Sequence, residues 1–179
     1  MTWLWIVLGV VIGLPLAAGI ILVLIGFMLR RDHVATRSVA YRADPHRVWT
    51  AISDWERHPG WRSGVKQMER LPDRNGRAVW KEVRRRGDTL TQAVEVFDPA
   101  ARRMVTRIVD ERAFGGTWTW TVTPQENGGA ALTITEAGEV YNPLFRAISR
   151  FFLDPRSTMD QLHRDLAAHL GEPPPALPR

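Results

Sequence analysis

The chain has 179 residues, 24 Lys and Arg against 19 Asp and Glu for a net charge of +5, and no cysteine. That composition excludes a disulfide framework, a cysteine nucleophile and thiolate metal ligation. It also leaves enough chain beyond an apolar amino terminus for one domain with its own core.

The amino terminus comes first. Trp3 to Leu29 carries no charged side chain, and Arg30-Arg31 ends the run. An apolar stretch of about 18 residues or more suffices to cross a bilayer as a helix. At ~1.5 Å per residue this one reaches about 40 Å, with a bend expected at Pro15. Trp3 and Trp5 sit where an interfacial aromatic anchor belongs. The run lacks the basic n-region and short apolar core of a cleaved signal peptide, so an uncleaved anchor over residues 1–31 is the expectation. Arg30, Arg31 and the nearby Arg37 follow the span, and nothing basic precedes it. The positive-inside rule then places the amino terminus outside and the following domain in the cytoplasm, as a single-pass membrane protein. Gly9 and Gly13 form a GxxxG row, a weak signal for a homodimer through this face.

Val34 to Tyr41 reads as a strand. Asp44-Pro45 is an N-cap and first-turn pair, opening a helix with Val48, Trp49 and Ile52 on one face. Pro59-Gly60 stops the short segment after it. Six strand-like runs follow: Val65–Leu71, Ala78–Arg85, Thr89–Phe97, Met104–Val109, Gly116–Thr123 and Ala131–Val140. Their separators, such as Asn75-Gly76 and Asn127-Gly128-Gly129, are hairpin-loop residues, so the spacing predicts an antiparallel meander. Trp118, Trp120 and Val122 share one face, as do Leu132, Ile134, Glu136 and Val140. That apolar face needs a cover. Asn142-Pro143 starts the predicted one: a helix of about 28 residues, kinked at Pro155 and stopped at Gly171, with Leu144, Ile148, Phe151/Phe152, Met159, Leu162, Leu166 and Leu170 on its apolar side. The expected fold class is α+β, a curved antiparallel sheet of about seven strands around a long C-terminal helix, preceded by one transmembrane helix. Residues 172–179 are Pro-rich and expected to be an extended, mobile tail.

The wording of several segments points to a family. Ala43-Asp44-Pro45-His46-Arg47-Val48-Trp49 with Ile52-Ser53-Asp54, then Pro59-Gly60-Trp61, Phe114-Gly115-Gly116-Thr117-Trp118 and Asn142-Pro143-Leu144-Phe145, resemble the START/Bet v 1-like helix-grip superfamily (SRPBCC), which includes the polyketide cyclase/dehydrase and lipid-transport group. The resemblance covers residues 34–171. It implies a cavity between sheet and C-terminal helix, with Trp118, Trp120, Leu132, Ile134, Ile148 and Phe152 as candidate lining. An alternating strand reads the same for a filled core. Glu136 shares the inward parity and is a candidate for orienting the polar head of an apolar ligand.

Trp61 to Gly87 holds nine basic residues against three acidic ones. Arg62, Lys66, Arg84, Arg85 and Arg86, with Arg30 and Arg31, are the candidate contacts to anionic membrane lipid. The bland alternative is the solvated face of a hairpin. No nucleic-acid-binding pattern is present. His33, His46, His58, His163 and His169 have no metal-ligand spacing, so neither a metal nor a cofactor is expected. Asp54, Glu56 and His58 form a polar cluster with acid–base potential or a mere capping role. No catalytic residue stands out. Three functions stay open: a membrane-anchored binding domain for a hydrophobic small molecule or lipid, a polyketide cyclase/dehydratase-like enzyme, and a non-catalytic tethered adaptor with a filled core.

Overall fold

A computed structural model describes residues 2–152, 154 and 156–177, and the side chains of these except at 2, 4–10 and 152. Helix α1 (Thr2–Met28) precedes β1 (Asp32–Tyr41), α2 (Pro45–Ser53) and a 3-10 helix (Trp55–Gly60). Strands β2 (Val65–Arg74), β3 (Arg77–Arg84), β4 (Thr89–Asp98), β5 (Arg103–Val109), β6 (Phe114–Pro124) and β7 (Ala130–Val140) follow, then α3 (Pro143–Phe152) and α4 (Arg156–Leu170).

The seven strands form one antiparallel sheet in the order β1-β7-β6-β5-β4-β3-β2. Five adjacent pairs are hairpins, and β1 closes the order by pairing with β7, Val39 opposite Leu132. Between β6 and β7 the register sets Trp118 opposite Glu136, Trp120 opposite Ile134 and Val122 opposite Leu132. These six side chains therefore share the concave face, because strand side chains alternate with period two. Shifts of register in β2 and β4 bend the sheet.

Local chemistry explains the first helix of the domain. The Asp44 carboxylate accepts from the backbone N–H groups of His46 and Arg47 at 3.0 Å, and Pro45 needs no donor partner at the first position. Helix α2 then buries Val48, Trp49 and Ile52. These pack with Met104, Trp120, Val122, Leu132 and Ile134 of the sheet and Met159, Leu162 and Leu166 of α4 in one core.

The C-terminal cover departs from expectation. It is two helices rather than one kinked helix. Asp154 starts α4, its carboxylate accepting from the Arg156 N–H at 2.9 Å and its carbonyl from the Ser157 hydroxyl at 2.8 Å. Only α4 lies over the sheet, held by Asp160 to Arg37 of β1 at 2.6 Å. Helix α3 turns away and packs along the end of α1, leaving Leu144 and Phe151 exposed. The contact is intimate: a Cβ on Gly26 would overlap the Pro143 backbone. Arg146, buried, donates to the carbonyls of Gly26 (2.8 Å) and Leu29 (3.2 Å) in α1 and its exit, and to Val140 and Tyr141. It fills the place of the missing helical donors at a helix C-terminus.

The tail is also corrected. Its described part, residues 172–177, is extended but docked. Glu172 accepts from the N–H groups of Ala43 (2.8 Å) and Arg42 (3.0 Å), and Leu177 packs against the core.

Val11–Met28 of α1 is long and apolar enough to cross a membrane, by length and composition, and it is hardly buried by the rest of the protein. Val11, Ile12, Leu14, Leu16 and Phe27 are all more than half exposed. A core helix would hide such side chains. Gly13 has open space where a Cβ would stand; the surroundings of Gly9 lie outside the described residues.

Candidate functional site

A cavity of about 1100 Å³ lies between the concave face of β3–β7, the 3-10 helix, α3 and the start of α4. Met28 to Val34, from the end of α1 into the start of β1, border it at one end. That volume is at or above the ~300–1,000 Å³ usual for small-molecule sites. Helix α3 packs on α1 and lends Phe145, Arg146, Ser149 and Arg150 to its wall.

Three groups of side chains define the interior. The apolar wall includes Trp118 and Trp120, their rings tilted at 5.7 Å, with Leu90 and Trp55. The Trp120 indole N–H is buried and has no partner among the described residues, so it offers a donor to an occupant.

The second group is an ion-paired floor. Glu82, 2% exposed, accepts from Arg62 at 2.7 Å and from Arg84 at 3.0 Å. Burial alone would raise its carboxyl, but the two guanidinium groups outweigh burial and hold it below the usual range. His58 donates its Nε2–H to the Ile52 carbonyl at 3.1 Å, which leaves Nδ1 as acceptor, 3.4 Å from Arg62. Burial, then the Arg62 charge, push His58 down to about 3, so it is neutral near pH 7. With Glu82 locked as an ionised acceptor, this floor is built to fix charge rather than to move protons.

The third group is Glu136. Its carboxylate stands 3.7 Å from His33 Nε2 and accepts from the Trp118 indole. Burial raises its carboxyl above the ordinary value, against the opposing pull of His33 and Trp118. Gly138 makes the room: a Cβ there would strike the His33 ring.

The sequence-derived candidates separate on this geometry. Trp118, Trp120 and Glu136 line the cavity. Leu132 and Ile134 are fully buried in the core beneath it and do not line it. Ile148 is half-buried on α3 and away from the lining, and the side chain of Phe152 lies outside the described residues. Arg62 and Arg84 both pair with Glu82, and Arg84, one-third exposed, also pairs with Asp88. Lys66, Arg85 and Arg86 are exposed, as are Arg30 and Arg31. Much of the basic stretch is used up in pairs, Lys81–Glu69, Arg70–Asp73, Arg74–Asp110 and Arg77–Glu95 among them. The Asp54, Glu56 and His58 cluster is dispersed: Asp54 pairs with Arg57, Glu56 is exposed, and only His58 is inside. The sequence reading missed His58, Glu82 and Gln92 as lining residues. The parity of Trp80, Glu82 and Arg84 was the available signal, masked by Val79 and Val83 on the other face.

Residues 32–170 match the family described as polyketide cyclase/dehydrase and lipid transport. The chain belongs to that family. Solved structures agree on the fold. A START superfamily protein from Mycobacterium smegmatis is 18% identical over 78% of this chain and 97% of its own, with a TM-score of 0.60. The Zhui aromatase/cyclase from Streptomyces sp. R1128 is 13% identical over 78% and 94%, at 0.63. Norcoclaurine synthase from Thalictrum flavum is 12% identical over 79% and 88%, at 0.62. A search of curated proteins gave no match. At these identities the likeness carries the helix-grip fold, and function has to be argued from the cavity.

Proposed function

We propose that this protein is a membrane-anchored binding domain that takes a hydrophobic small molecule or lipid into the cavity between sheet and C-terminal helices. The observation that carries the reading is the position of the cavity mouth. It is framed by Met28, the last residue of α1, and by Leu29, Arg30 and Arg31 just after it. With α1 in a bilayer, the mouth sits at the interface, where an apolar molecule leaves the membrane with the least exposure to water. Docking of α1 onto α3 through Gly26 and Arg146 supports retention of the helix over its removal as a leader. The arginines after the helix support a cytoplasmic domain.

The full-length chain, purified from membranes of its own cells in mild detergent, is expected to carry a discrete apolar compound in native mass spectrometry. Trp118→Ala/Trp120→Ala is expected to lose it. A clean apo mass, with no uptake from a total lipid extract, would sink this reading in favour of an adaptor.

One observation favours an enzyme as the second reading. Glu136 is a carboxyl raised by burial, 3.7 Å from His33 and facing the cavity, which suits acid–base work on a polyketide-like substrate. Turnover abolished in Glu136→Gln, with binding retained, would select it.

A further inference from the structure

The rim of the cavity carries more positive charge than the interior needs. Arg31, Arg86, Arg150 and Arg156 all border it, and all four are exposed. Among the described residues none of the four makes an ion pair. Three acids share the rim, fewer than its five exposed arginines, Arg30 included. Asp32 faces Arg30 at 3.4 Å, Glu139 accepts from the Tyr141 hydroxyl, and Asp154 caps α4. The four arginines come from four separate places: the exit of α1, the β3–β4 turn, α3 and α4. No single basic run explains their meeting. Like charges around one opening repel, and the repulsion is relieved by an anion placed between them.

We propose that the occupant is an anionic amphiphile, its apolar body against Trp118, Trp120 and Leu90 and its carboxylate or phosphate held at the rim by Arg31, Arg86, Arg150 and Arg156. The proposal rests on reading the cavity as a ligand site and names the class of ligand. Guanidinium groups suit both head chemistries because their paired donors match carboxylate and phosphate oxygens. The geometry is self-consistent with the position of α1. The rim lies beside the end of the apolar helix, so a molecule entering from the adjoining leaflet keeps its head in the polar layer while its chain moves into the cavity.

The test uses the full-length chain in non-ionic detergent, with Nile red as an uncharged reporter of the cavity and protein-free micelles as blank. Hexadecanoic acid, monohexadecyl phosphate and hexadecanol compete for it at low salt. The acid and the phosphate ester are expected to displace Nile red on the order of tenfold better than the alcohol, the equivalent of about 1.4 kcal/mol. Arg150→Gln/Arg156→Gln, and separately Arg31→Gln/Arg86→Gln, should erase most of that preference and leave Nile red binding intact. Arg47→Gln/Arg57→Gln, which removes equal charge away from the cavity, should not. Acid and alcohol competing equally, or a preference that survives both rim variants, would overturn the proposal while leaving the binding-domain reading standing. Displacement of the acid by millimolar inorganic phosphate would assign the rim to a free anion and overturn it too. If no probe binds, the cavity reading itself fails.

Discussion

Single side chains set how this domain responds to pH. His58 and His163 are both buried, and burial pushes them down to about 3 and about 4 respectively. The unfolded chain takes up these protons near 6.5, whereas the folded chain resists until the lowered values are reached. Stability is therefore fully present above about pH 6.5 and is lost as pH falls toward 4, by up to ~1.4 kcal/mol per pH unit for each group. Thermal midpoints in detergent from pH 7 to pH 4 should drop accordingly. His163→Met, which removes one of the two, should flatten the slope whatever it does to the midpoint at pH 7. Glu136 has the opposite sign. Its carboxyl is raised by burial, so the folded chain keeps a proton that the unfolded chain gives up, and stability falls as pH rises through the raised value. Glu136→Gln, which keeps an acceptor for the Trp118 indole, should be more stable than the parent at pH 8, and the gain should vanish at pH 4. A denaturant midpoint at both pH values checks this.

The behaviour of α3 is decided at the level of elements. It is a ten-residue helix that touches the sheet only at its edge, Phe145 against Phe114 at 6.0 Å, and packs mainly on α1, so its position depends on α1. Arg146 joins the two across 120 residues of chain by donating to Gly26. Arg146→Met strands the carbonyls of Gly26, Leu29 and Val140 without their donors, at about 1–3 kcal/mol for the buried ones. Amide hydrogen exchange over Pro143–Phe152 should accelerate, with α4 unchanged. Gly26→Val should do the same by steric overlap with Pro143. Helix α4 has its own ties, Asp160 to Arg37 and Asp165 to the Ser63 N–H and hydroxyl at 2.8 and 2.9 Å. Equal acceleration in α3 and α4 would refute this division.

For the whole molecule, the decisive feature is that helix α1, the rim and the cavity are continuous. If α1 is retained, the protein recovered from membranes should still contain Thr2–Met28. A species lacking that helix would refute the anchor. The same continuity predicts that detaching α1 perturbs the cavity: a chain starting at Asp32 lacks the Gly26 and Leu29 carbonyls that position Arg146, and it should bind Nile red more weakly than the full chain. Unchanged affinity would show that α3 holds its place without α1.

The sequence by itself determined where the elements lie and which way the sheet faces. Asp44-Pro45 and Asn142-Pro143 mark helix starts through local backbone bonding, Asn75-Gly76 and Asn127-Gly128 mark turns, and Trp118-Trp120-Val122 and Leu132-Ile134-Glu136 declare one inner face by alternation. These signals act within a few residues, so the chain alone carries them. The family resemblance rested on the same local words. Only the tertiary structure decided that α3 packs mainly on α1 rather than on the sheet, that Arg62 and Arg84 both pair with Glu82, that Glu172 ties down the tail, and that four arginines meet at one rim. Each of these joins groups far apart in the chain, and periodicity does not say which partner a charge will choose. Nor does it separate a filled core from a cavity, because an apolar strand face looks the same whether the helix above it packs down or leans away.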